Sequence, residues 1–360
     1  MIFVDGIPFS TGSSQGIEDL IALLEHPFLV SASNKLKAIP VMKVSVMEGF
    51  RGERSTPAKH VYVFQREYAT VDPALVEVSS LEEYVLVGTD EATTCVGIVI
   101  RNQKTGWTSI AHVDSPEVVD LGLTQMLSLL IDQNSNAELD VHIVGAFEDA
   151  VTNHVYSLLV KQTSGSSGSE SELELYNHSI PLCSKIIEAL QNKGNKFHIQ
   201  TFCVLGHNTM RDSDGNVYPV FNGFMVETSS GSVRPASFDR SSRCPDEIVR
   251  RIRVTVSYSD PSWKGKLLET YDSHSDQYQI APCSWNLRWK EYALSLQQLS
   301  DSDILLNCST SPSAEGPDFV DNHRRLFDYL IQHPNWRETF PMRKPRIFKR
   351  TASGDWIKAE

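Results

Sequence analysis

Two short runs of β-forming residues, separated by a turn-rich segment, constrain the fold of this chain more than any other feature of its sequence. Residues 96–100 and 107–111 have strand composition, and residues 101–106 between them are rich in turn formers. The pattern predicts an antiparallel hairpin. Any fold for this chain must therefore place these two strands side by side.

The predicted hairpin has a cysteine just before its first strand and a histidine just after its second. If Arg101 pairs with Gly106, the same register places Cys95 directly opposite His112. Directly opposed side chains have Cβ atoms roughly 4.5–5.5 Å apart, so the thiol would lie within hydrogen-bonding reach of the imidazole. An imidazole can take the proton of a thiol, which is a poor nucleophile while it is neutral. Because such residues more often serve packing or the surface, the pair alone predicts only a cysteine hydrolase or transferase.

The turn before Cys95 carries further polar groups that a nucleophilic cysteine could use. A third group usually orients the imidazole, and Thr89, Asp90, Thr93 and Thr94 are each candidates for that role. The backbone N–H groups of Thr94 and Cys95 could stabilise an oxyanion on the attacked carbonyl. The residue types therefore fit acyl transfer from an amide or ester.

Outside the hairpin, helical and strand patterns alternate along the chain. Predicted helices cover 16–26, 116–131, 176–191 and 319–332, with the hydroxyl of Ser115 expected to cap the second. Predicted strands cover 61–68, 84–88, 139–144, 197–205, 218–227, 233–236, 253–258 and 277–281. We expect a single compact domain over 1–360, with outer helices on its sheets and a flexible Ser/Gly-rich loop at about 163–171.

Charge and cysteine usage exclude several classes of protein. The chain has 33 basic and 45 acidic residues, a net charge of −12, which argues against nucleic acid or an anionic membrane as the main partner. Six cysteines are scattered without a CxxC motif, so the sequence encodes neither a zinc site nor a disulfide framework. Without a signal-peptide pattern or a long apolar run, the expected location is the cytoplasm or the nucleus.

Three segments around the hairpin resemble the eukaryotic family of protein N-terminal asparagine amidohydrolases. They are Gly-Thr-Asp-Glu-Ala-Thr-Thr-Cys at 88–95, Ser-Ile-Ala-His-Val-Asp at 109–114 and Asp-Val-His-Ile-Val-Gly-Ala-Phe at 140–147. Outlying blocks at 62–67, 234–238, 284–285 and 307–315 extend the likeness over most of the chain, and only the set together is specific. The resemblance implies an enzyme that converts an amino-terminal asparagine to aspartate, which is then arginylated and recognised for ubiquitin-dependent degradation.

A more distant similarity, to the bacterial chemoreceptor glutamine deamidases, implies the site and the fold. Those enzymes use a cysteine, a histidine on the neighbouring strand and a hydroxyl residue shortly before the cysteine, a pattern that falls here on Cys95, His112 and Thr89. The amidohydrolase family can have serine at the first of these positions, and Thr89 keeps the hydroxyl. The implied fold is α+β, with mainly antiparallel sheets and outer helices in an α-β-β sandwich.

The resemblance also implies the reaction and its partners. Cys95 would form a thioester with the substrate, without a metal or an organic cofactor. A carboxylate should recognise the free α-ammonium; Asp90 and Glu91 lie closest in sequence, with Glu67 and Asp114 as further candidates. Expected partners are proteins or peptides with a free amino-terminal asparagine, an arginyl-transferase and other N-degron components, and we expect a monomer.

Several assignments stay open at this point. Residues 309–311 could line the substrate pocket, although Pro312 favours a turn or a helix cap there. Arg66 could pair with an acid or with a substrate carbonyl. The rival enzyme is an internal glutamine deamidase or a transglutaminase-like acyl transferase. A non-catalytic module that holds N-degron substrates is the alternative from another class, and it predicts peptide binding without ammonia release.

Overall fold

The computed structural model describes residues 1–10, 16–45, 60–73, 86–131, 137–148, 179–351 and 354–359. The loop predicted at 163–171 lies outside these ranges. Nine α-helices occur within them: α1 Gly16–Glu25, α2 Pro27–Lys37, α3 Val119–Leu127, α4 Ser179–Asn192, α5 Glu247–Ser257, α6 Leu287–Gln297, α7 Asp301–Cys308, α8 Phe319–Gln332 and α9 Trp336–Thr339. No helix in the described ranges has the length and apolar character needed to cross a membrane.

The same ranges contain nineteen strands, which form four sheets. The strands are β1 Ile2–Val4, β2 Ile7–Pro8, β3 Met42–Val44, β4 His60–Tyr62, β5 Glu67–Val71, β6 Leu86–Thr89, β7 Val96–Asn102, β8 Thr108–Val113, β9 Glu138–Gly145, β10 Lys196–Cys203, β11 Thr209–Arg211, β12 Val217–Pro219, β13 Phe224–Glu227, β14 Ser232–Phe238, β15 Leu268–Glu269, β16 Tyr271–Asp272, β17 Gln277–Ile280, β18 Arg346–Arg350 and β19 Trp356–Lys358. The largest sheet has the order β15-β5-β8-β7-β9-β10-β1-β2, and a five-stranded sheet has the order β3-β14-β13-β6-β4.

The two larger sheets and the helices stack in layers. Successive side chains of a strand point to opposite faces. Along β7, Ile98 and Ile100 join a core that also contains the apolar faces of α1 to α4, whereas Val99 joins a second core. That second core contains Val87 and Phe224 of the five-stranded sheet, together with residues of α5, α6 and α8. The predicted α+β class, with helices outside mainly antiparallel sheets, is confirmed.

The predicted hairpin is present as β7 and β8, but the predicted register is wrong. Arg101 pairs with Thr108 instead of Gly106, and Gly97 instead of Cys95 lies opposite His112. The reason is local: the Asn102 side chain accepts the N–H groups of residues 104 and 105, at 2.9 and 3.1 Å, and so the loop begins one residue later. Because the loop is displaced by one residue, the residue opposite each position of β7 changes by two, and each side chain stays on its predicted face of the hairpin. Cys95 and His112 thus still share one face of the hairpin, as diagonal neighbours.

A second error concerns the strand predicted at 253–258, which lies largely within helix α5. Residues 253–257 alternate between polar and apolar, as in a half-buried strand, but the helix instead turns Arg250 and Arg253 inward. Both arginines are fully buried, because they pair with an acid from a distant strand. A local pattern cannot reveal such a partner.

Several smaller departures affect the ends of elements. The strands predicted at 61–68 and 218–227 are each split in two, the first by a turn in which Arg66 has a positive φ of 63°. Ser115 precedes a 3₁₀ turn, Pro116–Val118, and its hydroxyl makes no capping hydrogen bond, so the predicted cap is wrong. The predicted apolar face of the helix that follows is confirmed, with Leu123 and Met126 in the first core.

Candidate active site

Cys95 lies at the end of the loop that connects β6 to β7, and its side chain is half-buried. Its carbonyl oxygen accepts the N–H of Ala146, at 2.7 Å. Gly145 permits this close approach, since it has a φ of 123° and a Cβ at its position would lie 2.7 Å from the same oxygen. The central strand β9 therefore fixes the backbone of the cysteine.

His112 and Thr89 meet between the two larger sheets. His112 comes from β8 of the large sheet and Thr89 from β6 of the five-stranded sheet, and both are buried. Thr89 Oγ1 lies 2.7 Å from His112 Nδ1, which is a hydrogen bond. Among the described residues, the buried Nε2 atom of His112 has no partner. When Nδ1 donates to Thr89, Nε2 keeps a free lone pair and can act as a base.

Burial and neighbouring charges shift the pKa values of His112 and Cys95 in the directions that favour their neutral forms. Burial lowers the pKa of His112 to about 4, although the charges of Glu91 and Glu67 oppose this shift. Burial raises the pKa of the Cys95 thiol well above its usual value, and the charges of Asp114 and Glu315 raise it further. Both shifts favour a neutral thiol and a neutral imidazole in the absence of substrate.

Gly97, which lies opposite His112, leaves room for an aromatic ring on the same face of the hairpin. A Cβ at Gly97 would overlap the ring of Phe224, which comes from the five-stranded sheet. The ring is buried within the second core. The absence of a side chain at Gly97 thus lets the two sheets pack closely beside the cysteine and the histidine.

This packing leads to a prediction about stability. Gly97→Ala should lower the free energy of unfolding by about 1–3 kcal/mol, because the new methyl group must displace the Phe224 ring. Gly194→Ala is the matched control, since a Cβ there meets no described atom within 4 Å. Urea unfolding of both variants measures the difference. Equal free energies of unfolding would contradict the packing argument.

Asp90, a predicted ammonium ligand, is buried with both of its carboxylate oxygens occupied. Oδ1 accepts the hydroxyl of Tyr62, at 2.6 Å, while Oδ2 accepts the N–H of Phe238 and Arg243 Nη2, at 2.8 and 3.1 Å. Burial and the neighbouring charge of Glu91 raise the pKa of Asp90 to about 6. Its contacts are those of a group that ties the loop to the five-stranded sheet.

Glu67 is also buried and fully engaged. Its Oε2 atom accepts Arg250 Nη2 and the N–H of Phe64, at 2.6 and 3.0 Å, and its Oε1 atom accepts Arg253 Nη2, at 2.9 Å. Burial would by itself raise the pKa of Glu67, but the charges of the two arginines reverse that effect and the pKa is lowered. The structure leaves no oxygen of Glu67 for a ligand.

Glu91, the remaining acid of the three, is held by two arginines. Arg251 forms a bidentate ion pair with it, at 2.9 and 3.0 Å, and Arg243 approaches Oε1 to 2.9 Å. Burial favours the neutral acid, but the charges of Arg251 and Arg243 outweigh it and lower the pKa of Glu91 to about 2. With a φ of 61°, Glu91 also has a left-handed backbone conformation in the loop before the cysteine.

The charges of two other acids, Asp114 and Glu315, act on the Cys95 thiol. Of these, only Asp114 was considered from the sequence, as a further candidate. Val96–Val113 is the last residue pair at the open end of the hairpin. Cys95, which precedes Val96, and Asp114, which follows Val113, therefore lie side by side just beyond that pair. The correct register would have revealed this neighbour. Glu315 had no local signal, because it approaches through a contact between distant segments.

That contact joins the cysteine loop to residues 309–315. Thr94 Oγ1 lies 3.2 Å from Thr310 Oγ1. Ser309 Oγ accepts the N–H of Ser311 and donates to Glu315 Oε1, at 2.9 and 2.5 Å, so these residues form the predicted turn. The segment places a hydroxyl-rich turn and a carboxylate beside the nucleophile loop.

The site as a whole has the groups that acyl transfer requires. A thiol and a hydroxyl-oriented imidazole share one region, and the N–H groups of Thr94 and Cys95 make no hydrogen bond to any described residue. Such N–H groups can stabilise an oxyanion. The arrangement can therefore support attack of sulfur on a carbonyl carbon and protonation of the leaving group.

Comparison with known proteins agrees with this chemistry. Residues 51–358 match a family model described as protein N-terminal asparagine amidohydrolase. A protein of that name from Arabidopsis thaliana is 51% identical, over 99% of this chain and all of the relative. Proteins of the same name from Sus scrofa and Homo sapiens are each 28% identical over 91% of this chain, covering 93% and 94% of their own lengths.

Proposed function

Since this chain belongs to the family of protein N-terminal asparagine amidohydrolases, we propose that it deamidates an amino-terminal asparagine through a thioester on Cys95. The chain is a hydrolase, as its family is. The observation that carries the proposal is the 2.7 Å contact of Thr89 Oγ1 with His112 Nδ1, which leaves Nε2 free on the face of the hairpin that Cys95 shares.

The proposed reaction has two halves. In the first, His112 takes the thiol proton, Cys95 Sγ attacks the carbon of the asparagine side-chain amide, and the imidazolium gives the proton to the departing ammonia. In the second, His112 takes a proton from water, which attacks the thioester carbon and releases the thiol and an aspartate side chain. The N–H groups of Thr94 and Cys95 stabilise the oxyanion in both halves.

One assay separates this function from its rivals. Matched peptides that begin with asparagine, begin with glutamine or carry an internal glutamine are incubated with the protein, and ammonia and peptide mass are measured. We expect one ammonia and the small mass gain of aspartate for the asparagine peptide alone. Ammonia from internal glutamine would favour the glutamine deamidase or acyl transferase. Peptide binding without ammonia release would favour a binding module.

The role of Thr89 gives a second prediction. Thr89→Val removes the hydroxyl and keeps the shape, so kcat should fall by about 100-fold or more because the imidazole loses its orienting partner. Thr89→Ser should restore most of this loss. Thr70→Val is the control, since Thr70 Oγ1 makes a comparable buried hydrogen bond with Ser109 Oγ, at 3.0 Å. Equal kcat values for the two valine variants would remove Thr89 from the mechanism.

The product suggests the place of this reaction in the cell. We propose that the new amino-terminal aspartate is a substrate for an arginyl-transferase in the N-degron pathway, in the cytoplasm or the nucleus, and that the enzyme acts as a monomer. In cells that lack this protein, a reporter beginning with asparagine should be long-lived, whereas one beginning with aspartate should be degraded as before. Equal lifetimes with and without the protein would contradict the proposal. Light scattering tests the monomer.

A further inference from the structure

Two acidic residues from different parts of the chain lie beside the segment that carries Cys95. Asp114 follows strand β8, directly after the last residue pair of the hairpin, and Glu315 follows the turn that contacts Thr94. We propose that Asp114 and Glu315 receive the α-ammonium of the terminal asparagine, and that this cation permits Cys95 to ionise. The inference rests on the proposed function and adds the group that recognises the free amino terminus.

The surroundings of Asp114 leave one of its oxygens without a partner. Its Oδ2 atom accepts the hydroxyl of Tyr258, at 2.5 Å, and Gln65 Nε2 lies 3.5 Å away. Its Oδ1 atom is buried and has no hydrogen-bond partner among the described residues. The nearby guanidinium of Arg66 does not occupy that oxygen, because it stacks on the Tyr258 ring with its carbon 4.4 Å from the centroid.

Glu315 is similarly half-engaged. Within the described part of the chain, only its Oε1 atom is hydrogen-bonded, to Ser309 Oγ. In the same turn the hydroxyl of Ser311, a residue only 5% exposed, has no described partner. An ammonium group has three N–H donors. The two carboxylates and the Ser311 hydroxyl supply acceptors of the matching number and charge.

The other acids near the site cannot replace these two. Both oxygens of Asp90 and of Glu67 are already hydrogen-bonded, and both oxygens of Glu91 are held by two arginines. Burial raises the pKa of Asp114, and it raises that of Glu315 to about 7. A bound ammonium would lower both pKa values again and so favour the carboxylate forms that hold it.

The same charges explain how substrate recognition would activate the nucleophile. The negative charges of Asp114 and Glu315 disfavour a thiolate at Cys95. Glu91 adds a further negative charge near Glu315 and His112. Arg66 and Tyr258 face Asp114. The single positive charge of the α-ammonium would offset part of this negative charge, so the thiol would ionise more readily once the amino terminus is in place. An acetylated terminus or an internal asparagine would supply no such cation.

The first test compares two peptides that differ only in the α-amine: one begins with asparagine, and the other has hydrogen in place of that amine. In the wild type, kcat/KM should favour the free amine by roughly 100-fold or more, since a site built to bind an amine rejects an analogue without it. Asp114→Asn and Glu315→Gln should each reduce this ratio, and the double variant should nearly abolish it. Glu117→Gln, an exposed acid nearby, is the control.

Melting temperatures show whether each variant is folded. If the variants lose activity equally on both peptides, the ratio stays constant and the ammonium site is refuted. A wild type that releases no ammonia from the asparagine peptide instead refutes the proposed function.

The second test needs no turnover. Iodoacetamide alkylation of Cys95 is followed by mass spectrometry, with glycinamide or N-acetylglycinamide present. Glycinamide should accelerate alkylation of the wild type, whereas the acetylated compound should not. Asp114→Asn should itself react faster, roughly tenfold for each unit by which the thiol pKa falls, and should respond less to glycinamide. The proposal is overturned if glycinamide does not accelerate alkylation of the wild type, or if it accelerates alkylation of Asp114→Asn equally. This holds whether or not the protein deamidates asparagine.

Discussion

Replacement of Cys95 by serine should reduce ammonia release from an asparagine-initiated peptide by roughly 10⁴-fold or more, because removal of a nucleophile disables the whole catalytic unit. A serine hydroxyl is a far weaker nucleophile than a thiol, and the neutral imidazole of His112 cannot compensate for this difference. The measurement is ammonia release at saturating peptide, together with the peptide mass. Cys95→Ala should be equally inactive.

The fold should tolerate the change at Cys95. The Cys95 side chain is half-buried, and the residue precedes strand β7. The melting temperature of Cys95→Ser should therefore remain close to that of the wild type. Cys244→Ser, at another half-buried cysteine, is the control and should remain active. Substantial ammonia release by folded Cys95→Ser would place the nucleophile elsewhere.

Replacement of Glu67 by glutamine should have the largest effect on stability. The change leaves Arg250 and Arg253 buried without a balancing charge, and loss of one partner from a buried ion pair costs about 3–5 kcal/mol. Guanidinium unfolding at pH 7 measures this loss. Glu138→Gln is the control, because Glu138 is exposed and the loss of its contacts with Lys196 and His198 should change stability little.

The same carboxylate gives the effect of pH a definite sign. The pKa of Glu67 is lowered in the folded protein, so its contribution to stability is complete above its unfolded pKa of about 4.3 and is lost as the pH falls through the folded value. Wild type should therefore lose more stability than Glu67→Gln between neutral and strongly acidic pH. Equal losses would show that the ion pairs are not formed.

The sequence predicted the shared face of Cys95 and His112 correctly but their register wrongly. Side chains in a strand alternate with a period of two, so an error of one residue in the loop changes the partner of Cys95 but not its face. The face alone was enough to bring His112 into consideration. The exact pair depended on the Asn102 side chain, which closes the loop by bonding to its own turn.

The acids that we propose as ligands of the α-ammonium were harder to predict, for a physical reason. Closeness in sequence suggested Asp90 and Glu91, but arginines more than 150 residues away engage both of them. Long-range ion pairs of this kind also accompany the second error, since helix α5, part of which was predicted as a strand, buries Arg250 and Arg253 against the distant Glu67. Glu315 approaches the cysteine loop only through a similarly distant contact. The local periodicity of a sequence does not predict ion pairs between distant segments.

Helix α5 has a consequence for how the enzyme is made. Its Arg250 pairs with Glu67, 183 residues earlier, and its Arg251 pairs with Glu91, 160 residues earlier. A polypeptide that emerges from the ribosome can form the hairpin from local contacts, but contacts between distant segments come later. The nascent chain would therefore carry its cysteine for a long interval before the loop around it is fixed. Competence for catalysis would arrive late in synthesis, with the helix that holds the loop.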